Sequence, residues 1–207
     1  MTRLYIDKQE VAPLPSGLSS LDEVLRLVES SHLPSNVVIH QVQVDGIPLI
    51  QNEEPNRISK HIRGQEKIEI FTSTLREVAI ESIREAIAYL ERAEAATHSL
   101  ASSLRTQVES EAAADLKQFY DGFYCINLLL DRLEQSFRIP YEDVRIRSGS
   151  AREYCTQMAS LLKEVIEAHE HKDFGLLADL LEYEVAALIP ACKEVFAAVR
   201  SRILAEQ

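Results

Sequence analysis

Two hydrophobic periods divide the chain. Up to residue 72, short apolar runs alternate with period two, as strands buried on one face do. Leu4 and Ile6 alternate in RLYID, DKQE predicts a turn, and EVAPL predicts a second strand that Pro13 limits or places at an edge. SLDEVLRLVESS then reads as an amphipathic helix. Ser20 and Glu23 form a capping box ahead of Leu21, Val24, Leu25 and Val28, which share one face. VVIHQVQV predicts a strand with Val38, His40, Val42 and Val44 on one face. Asp45-Gly46 supplies a tight turn and IPLI a short following strand. NEEPNRISKHIRGQ predicts a loop with one helical turn, and KIEIFT a closing strand.

Strand, strand, helix, strand, short strand, loop and strand make up this first part. In that order, VVIHQVQVDGIPL and RISKHIRGQEKIEIFT resemble the central strand, short strand, single helical turn and closing strand of the β-grasp (ubiquitin-like) fold. The resemblance implies a small α+β module. It does not imply conjugation to a target, which needs a free Gly-Gly end; here Thr72 and Ser73 lead straight into a helix.

From residue 74 the period is helical. Thr74 and Glu77 form a second capping box. Ala79, Ile83, Ala86, Leu90, Ala93, Thr97, Leu100 and Leu104 follow at alternating spacings of four and three, the seam of a bundle. Continued in phase, the seam would become polar. It restarts at Ala112, Leu116, Phe119, Phe123, Ile126, Leu130, Leu133 and Phe137, which predicts a turn near 105–110 with Thr106 and Glu109 capping the next helix. Pro140 ends that helix and YEDVRIRSGS is expected to be loop. Ser150 and Glu153 cap a third long helix with seam Tyr154, Met158, Leu161, Val165 and Ala168. A fourth starts near Asp173 with seam Leu177, Leu181, Val185, Leu188, Cys192, Val195 and Val199, and Pro190 should kink it. The expected fold is therefore α+β: a β-grasp-like domain over 1–72, then an antiparallel four-helix bundle over 73–207.

Composition narrows the functional classes. Among 207 residues, 46% are hydrophobic and 27% charged, which allows a sizeable core. The net charge of -11 makes duplex nucleic acid and anionic membrane surfaces poor partners. No apolar run is long enough to span a bilayer, and MTRLYIDKQE lacks the order of a signal peptide. Cys125, Cys155 and Cys192 are odd in number and not in CxxC spacing, which points to reduced thiols and a cytoplasmic location.

Candidate chemistry is confined to EAHEHKDFGLLADLLEYE, residues 167–184. His169 and His171 stand two apart, about 200° around a helix, so they cannot share one ion unless the helix has already ended. No Glu-x-x-His falls within this stretch, since Glu164 and Glu167 are each followed three residues on by another glutamate, and the chain has no HExxH; neither metal nor cofactor is expected. Histidine and lysine suit the end of one helix, and Asp173 the cap of the next. Asp179 and Glu182 fall on the solvated face. Glu184 falls among Leu177, Leu180, Leu181 and Leu188, which predicts a buried, paired carboxylate with a structural or functional role, unless a partial turn of the helix exposes it. LADLLEYE also resembles a segment of uncharacterised bacterial proteins that start with a small strand-rich region; no established activity comes with it.

FYCINLLL, residues 123–130, is apolar almost all round, with Leu128 and Leu129 pointing away from the seam. They are the candidate interaction surface, against the first domain or another chain. The expectation is a non-enzymatic binding or scaffold protein that self-associates through its bundle and has protein partners. Two other readings stay open: a ligand-binding protein or enzyme with a pocket at the domain junction or around Glu184, and a chaperone-like protein for an exported or motility subunit.

Overall fold

The computed structural model describes residues 2–11, 18, 20–49, 66–106 and 109–205. The chain divides into two compact units, Met1–Ala79 and Ile80–Gln207. It is α+β, with a mixed sheet followed by helices.

In the first unit five strands form one sheet. They are β1 (Arg3–Ile6), β2 (Gln9–Glu10), β3 (Val37–Val44), β4 (Ile47–Leu49) and β5 (Lys67–Thr74), in the order β2-β1-β5-β3-β4. β1 runs parallel to β5, and the other pairings are antiparallel. Two short turns close the hairpins, each with positive φ at both central residues: Asp7-Lys8 (49° and 69°) and Asp45-Gly46 (52° and 78°). That geometry matches the twist of the flanking strands. The first turn lies earlier than DKQE predicts, because Gln9 and Glu10 already pair with Ile6 and Tyr5. Pro13, His61 and the expected loop 52–65 lie outside the described residues. Asp7 also bridges forward: its carboxylate accepts from the Thr72 amide (2.9 Å) and hydroxyl (2.6 Å). Those two bonds hold its pKa below the ordinary carboxylate value.

Helix α1 (Leu21–Ser31) opens on the predicted box, with Ser20 Oγ accepting from the Glu23 amide and the Glu23 carboxylate from the Ser20 amide. Its Leu21, Val24 and Val28 form one core with Leu4, Val42, Ile68 and Ile70 of the sheet. One expectation fails here. The pairing of β3 with β5 shifts register between Ile39 and Gln41, so Ile39 packs on the core and His40 is exposed. An extra residue at a bulge moves the alternation to the opposite face.

β5 runs to Thr74, two residues beyond the expected join, and α2 (Leu75–Thr106) follows at once. The Thr74 hydroxyl and amide both donate to Glu77, whose own amide donates back to the hydroxyl (3.1 Å). Then come α3 (Glu109–Phe137), α4 (Ala151–Glu170), α5 (Phe174–Asp179), a single wide π turn (Leu180–Val185) and α6 (Ala186–Ala205). All eight predicted seam positions of α2 are buried, as are the five of α4. In α3 every seam residue but the half-buried Phe137 is buried. The hydroxyl of Thr106, which ends α2, donates back to the Ser102 carbonyl at 2.9 Å. Asp173 does cap, accepting from the Leu176 amide at 3.0 Å.

The segment expected to be loop is built more tightly. β6 (Arg145–Ile146) and β7 (Gly149–Ser150) pair within it, while Ile139, Tyr141 and Val144 are buried. The Tyr141 hydroxyl donates to the Leu130 carbonyl at 2.6 Å, and Arg152 joins Glu142 (3.0 Å) and Glu134. Ser150 and Glu153 then cap α4 as predicted.

Candidate functional site

The π turn decides the fate of the acidic stretch. An α-helical reading of LADLLEYEVAAL puts Leu181, Glu184 and Leu188 on one face. In the structure, the Ala186 amide reaches back five residues to the Leu181 carbonyl, so one turn takes up an extra residue. The buried line becomes Leu177, Leu181, Val185, Ile189 and Cys192. Leu188 is only half-buried, and Glu184 is exposed beside the equally exposed Tyr183. The predicted burial of Glu184 is therefore wrong, and the cause is a shift of helical phase. Pro190 lies downstream of this wide turn, inside α6, which continues through it.

Asp179 and Glu182 share one cation. Arg105, in the last turn of α2, spans both, reaching Asp179 at 2.6 Å and Glu182 through its other terminal nitrogen. The two acceptors raise the Arg105 pKa above its ordinary value. The face expected to be merely solvated thus carries an ion pair; a basic residue ending a helix 77 positions away is no local signal.

Around the end of α4 the two histidines part company. His171 places Nδ1 2.7 Å from the Glu167 carbonyl. His169 stacks on Tyr120 of α3, with ring centroids 5.7 Å apart and Nδ1 3.3 Å from the hydroxyl. Among the described residues, no three His, Cys, Asp or Glu side chains converge as metal ligands would.

A broad concavity lies between α3 and α4. It is a groove of about 860 Å³, mainly apolar, lined by Tyr120, Phe123, Tyr124 and Asn127 of α3 and by Ala159, Leu162, Lys163, Ile166, Glu167, His169 and Glu170 of α4. It arises because each helix carries a second stripe, one residue on from its core seam. On α4 the seam Met158, Leu161, Val165 and Ala168 is shadowed by Ala159, Leu162, Ile166 and His169. On α3 Phe119, Phe123 and Ile126 are shadowed by Tyr120, Tyr124 and Asn127. One stripe is spent on the core and the other stands open, with Tyr124 68% and Ile166 45% exposed. Leu128 and Leu129, the predicted interaction residues, follow on α3 and are half-buried. A smaller apolar cavity of about 220 Å³ adjoins the same Tyr120–His169 pair, bounded by Leu104, Leu116 and Phe174 among others. A third, about 420 Å³, lies between α2 and α3 beside Tyr89, Thr97, Asp115 and Phe119.

None of the three cysteines is bonded. Burial pushes the Cys192 thiol up to about 12 and the Cys155 thiol to about 11, so both stay protonated and unreactive near neutrality. Tyr154 is buried at Cys192, and its hydroxyl has no hydrogen bond of ordinary geometry; the thiol beside it is a weak acceptor at most. No helix among the described residues is long and apolar enough to cross a membrane.

A family model described as "Domain of unknown function (DUF8042)" matches residues 81–195, more than half of the chain. No curated protein and no solved structure matches.

Proposed function

We propose a function for a chain that belongs to the DUF8042 family: a non-enzymatic binding or scaffold protein that self-associates through its helical part. The observation that carries this reading is the open stripe between α3 and α4. Two neighbouring helices leave large apolar side chains, Tyr124 and Ile166, beside a groove of about 860 Å³. Exposed apolar side chains flanking an apolar groove between helices support this reading, because amphipathic helices dock in such grooves. Half-buried Leu128 and Leu129 extend the apolar character of α3 beyond the groove.

In the finer architecture we read residues 73–207 as an antiparallel four-helix bundle of α2, α3, α4 and the rod α5–π–α6. Each of these helices buries one long seam, which supports that reading. The first unit is read as β-grasp-like; the order β2-β1-β5-β3-β4, with its parallel β1–β5 pair, supports this. Unbonded cysteines support a reducing, cytoplasmic setting. With Glu184 exposed, a pocket built on that carboxylate has no support.

Sedimentation velocity on the full chain over a wide concentration range tests the reading. A concentration-dependent dimer or higher oligomer is expected. A monomer at every concentration refutes self-association.

A further inference from the structure

We infer that the α3–α4 groove is the face on which two copies of this chain pair, with α4 lying antiparallel to α4 of the second copy. The inference rests on the self-association proposed above and names its surface.

The open stripe needs a cover. α4 fills the core with one row of side chains and leaves the next row open, with Ala159 and Ile166 exposed and Leu162 half-buried. A helix apolar on two sides is stable in water when both are covered. Residues 159 to 170 span three helical turns, about 16 Å at 1.5 Å per residue, which suits a helix of similar length lying along them.

The charges at the rim select the occupant. Along the groove α4 carries Lys163, then Glu167, then Glu170. Lys163 and Glu170 are seven residues apart and so point in nearly the same direction, with Ile166 between them. Turn the helix end for end and the order reverses. Around a twofold axis at Ile166, the Lys163 of each copy meets the Glu170 of the other, and the two Ile166 side chains meet at the centre. The mismatch is about one residue of rise, 1.5 Å, within reach of a lysine side chain. Glu167, close to the axis, already has its own Lys163 at 3.6 Å, which tempers its repulsion from its symmetry mate. A surface that is complementary to itself is what an isologous pair requires. A helix of arbitrary sequence has no reason to match both ends of this order. On the α3 side, Tyr124 stands beside the axis as an aromatic flank for the incoming helix, a residue type enriched at interfaces.

The test uses the full chain in sedimentation velocity and equilibrium, with circular dichroism to establish that each variant is folded. The parent should dimerise. Ile166→Asp should raise the dimer dissociation constant at least about 100-fold. Lys163→Glu and Glu170→Lys should each raise it about 10-fold, and the two together should bring it back to within about 3-fold of the parent. Gln157→Glu, on α4 but off the groove, should leave it unchanged. A folded Ile166→Asp variant that dimerises like the parent overturns the groove as the interface while leaving self-association standing. A reversed pair that is no better than either single variant overturns the antiparallel pairing. A parent that is monomeric throughout overturns both this inference and the self-association it rests on. If such a monomer binds an amphipathic peptide of leucine and lysine, and loses that binding with Ile166→Asp, the groove belongs to a foreign helix.

Discussion

Tyr154→Phe should make the protein more stable. Tyr154 lies in the first turn of α4, 3% exposed, on the seam that faces the core. Its hydroxyl is the one buried side-chain polar atom without a hydrogen-bond partner among the described residues. Leaving a hydroxyl bare in an apolar setting costs about 1–3 kcal/mol on mutational scales. Removing it leaves a gap of roughly 10–15 Å³, which at about 24 cal/mol per Å³ returns some 0.3 kcal/mol of that. The net expectation is a gain of about 1–2 kcal/mol, or roughly 2–8 °C in melting temperature for a chain of this size. Burial also drives the phenol pKa far above its ordinary value, with the Cys192 and Cys155 thiols adding to the shift. The tyrosine should therefore stay protonated until the protein unfolds in base. Urea melts of parent and variant give the free energy, and an ultraviolet pH titration counts the phenols that ionise while folded. A loss of more than about 1 kcal/mol in Tyr154→Phe refutes the reasoning, since it requires a genuine bond to the hydroxyl. Repeating the comparison in a Cys192→Ala background would then show whether the thiol is that partner.

Three further outcomes are expected. Glu184→Ala should cost under about 0.5 kcal/mol, and Glu182→Ala more, near 0.5–1 kcal/mol, because only Glu182 meets Arg105; urea melts showing the opposite order would restore the α-helical phase. Asp7, with its pKa lowered by Thr72, contributes stability that is complete above the ordinary carboxylate pKa and fades as pH falls through the folded value. The deficit of Asp7→Asn relative to the parent should accordingly shrink between about pH 6 and about pH 3, and a deficit that stays constant argues against the bond. Arg138 ends α3 with φ of 51°, a conformation that costs a side-chain-bearing residue about 1 kcal/mol; Arg138→Gly should raise stability by about 0.5–1 kcal/mol in the same melts, and a loss would mean the arginine side chain holds the turn.

The parts of the fold that were legible are those where one period runs unbroken. α2 alternates four and three over eight positions, and every one of them is buried; three capping boxes were equally plain because donor and acceptor sit three residues apart. Legibility ended wherever a single residue changes the phase. The bulge in β3 exchanged His40 for Ile39, and the π turn exchanged Leu188 for Ile189 and exposed Glu184. Neither leaves a composition mark, since an inserted residue looks like any other. The hairpin β6–β7 was missed for another reason: two-residue strands are too short to alternate. For the candidate site, FYCINLLL announced a helix with surplus apolar surface. The groove itself needed two helices side by side, and the sequence fixes each helix alone.

The π turn also bears on how this chain should be compared with its relatives. Residues 180–185 hold one position more than a regular helix of the same rise would need. A relative with an ordinary helix here would place its equivalents of Ile189, Cys192 and Val195 one residue earlier in its own sequence. An ungapped alignment would then set core against surface from residue 186 onward, although both helices fill the same space. A one-residue gap inside LEYEV, which would look arbitrary on sequence grounds, brings the interiors back into correspondence.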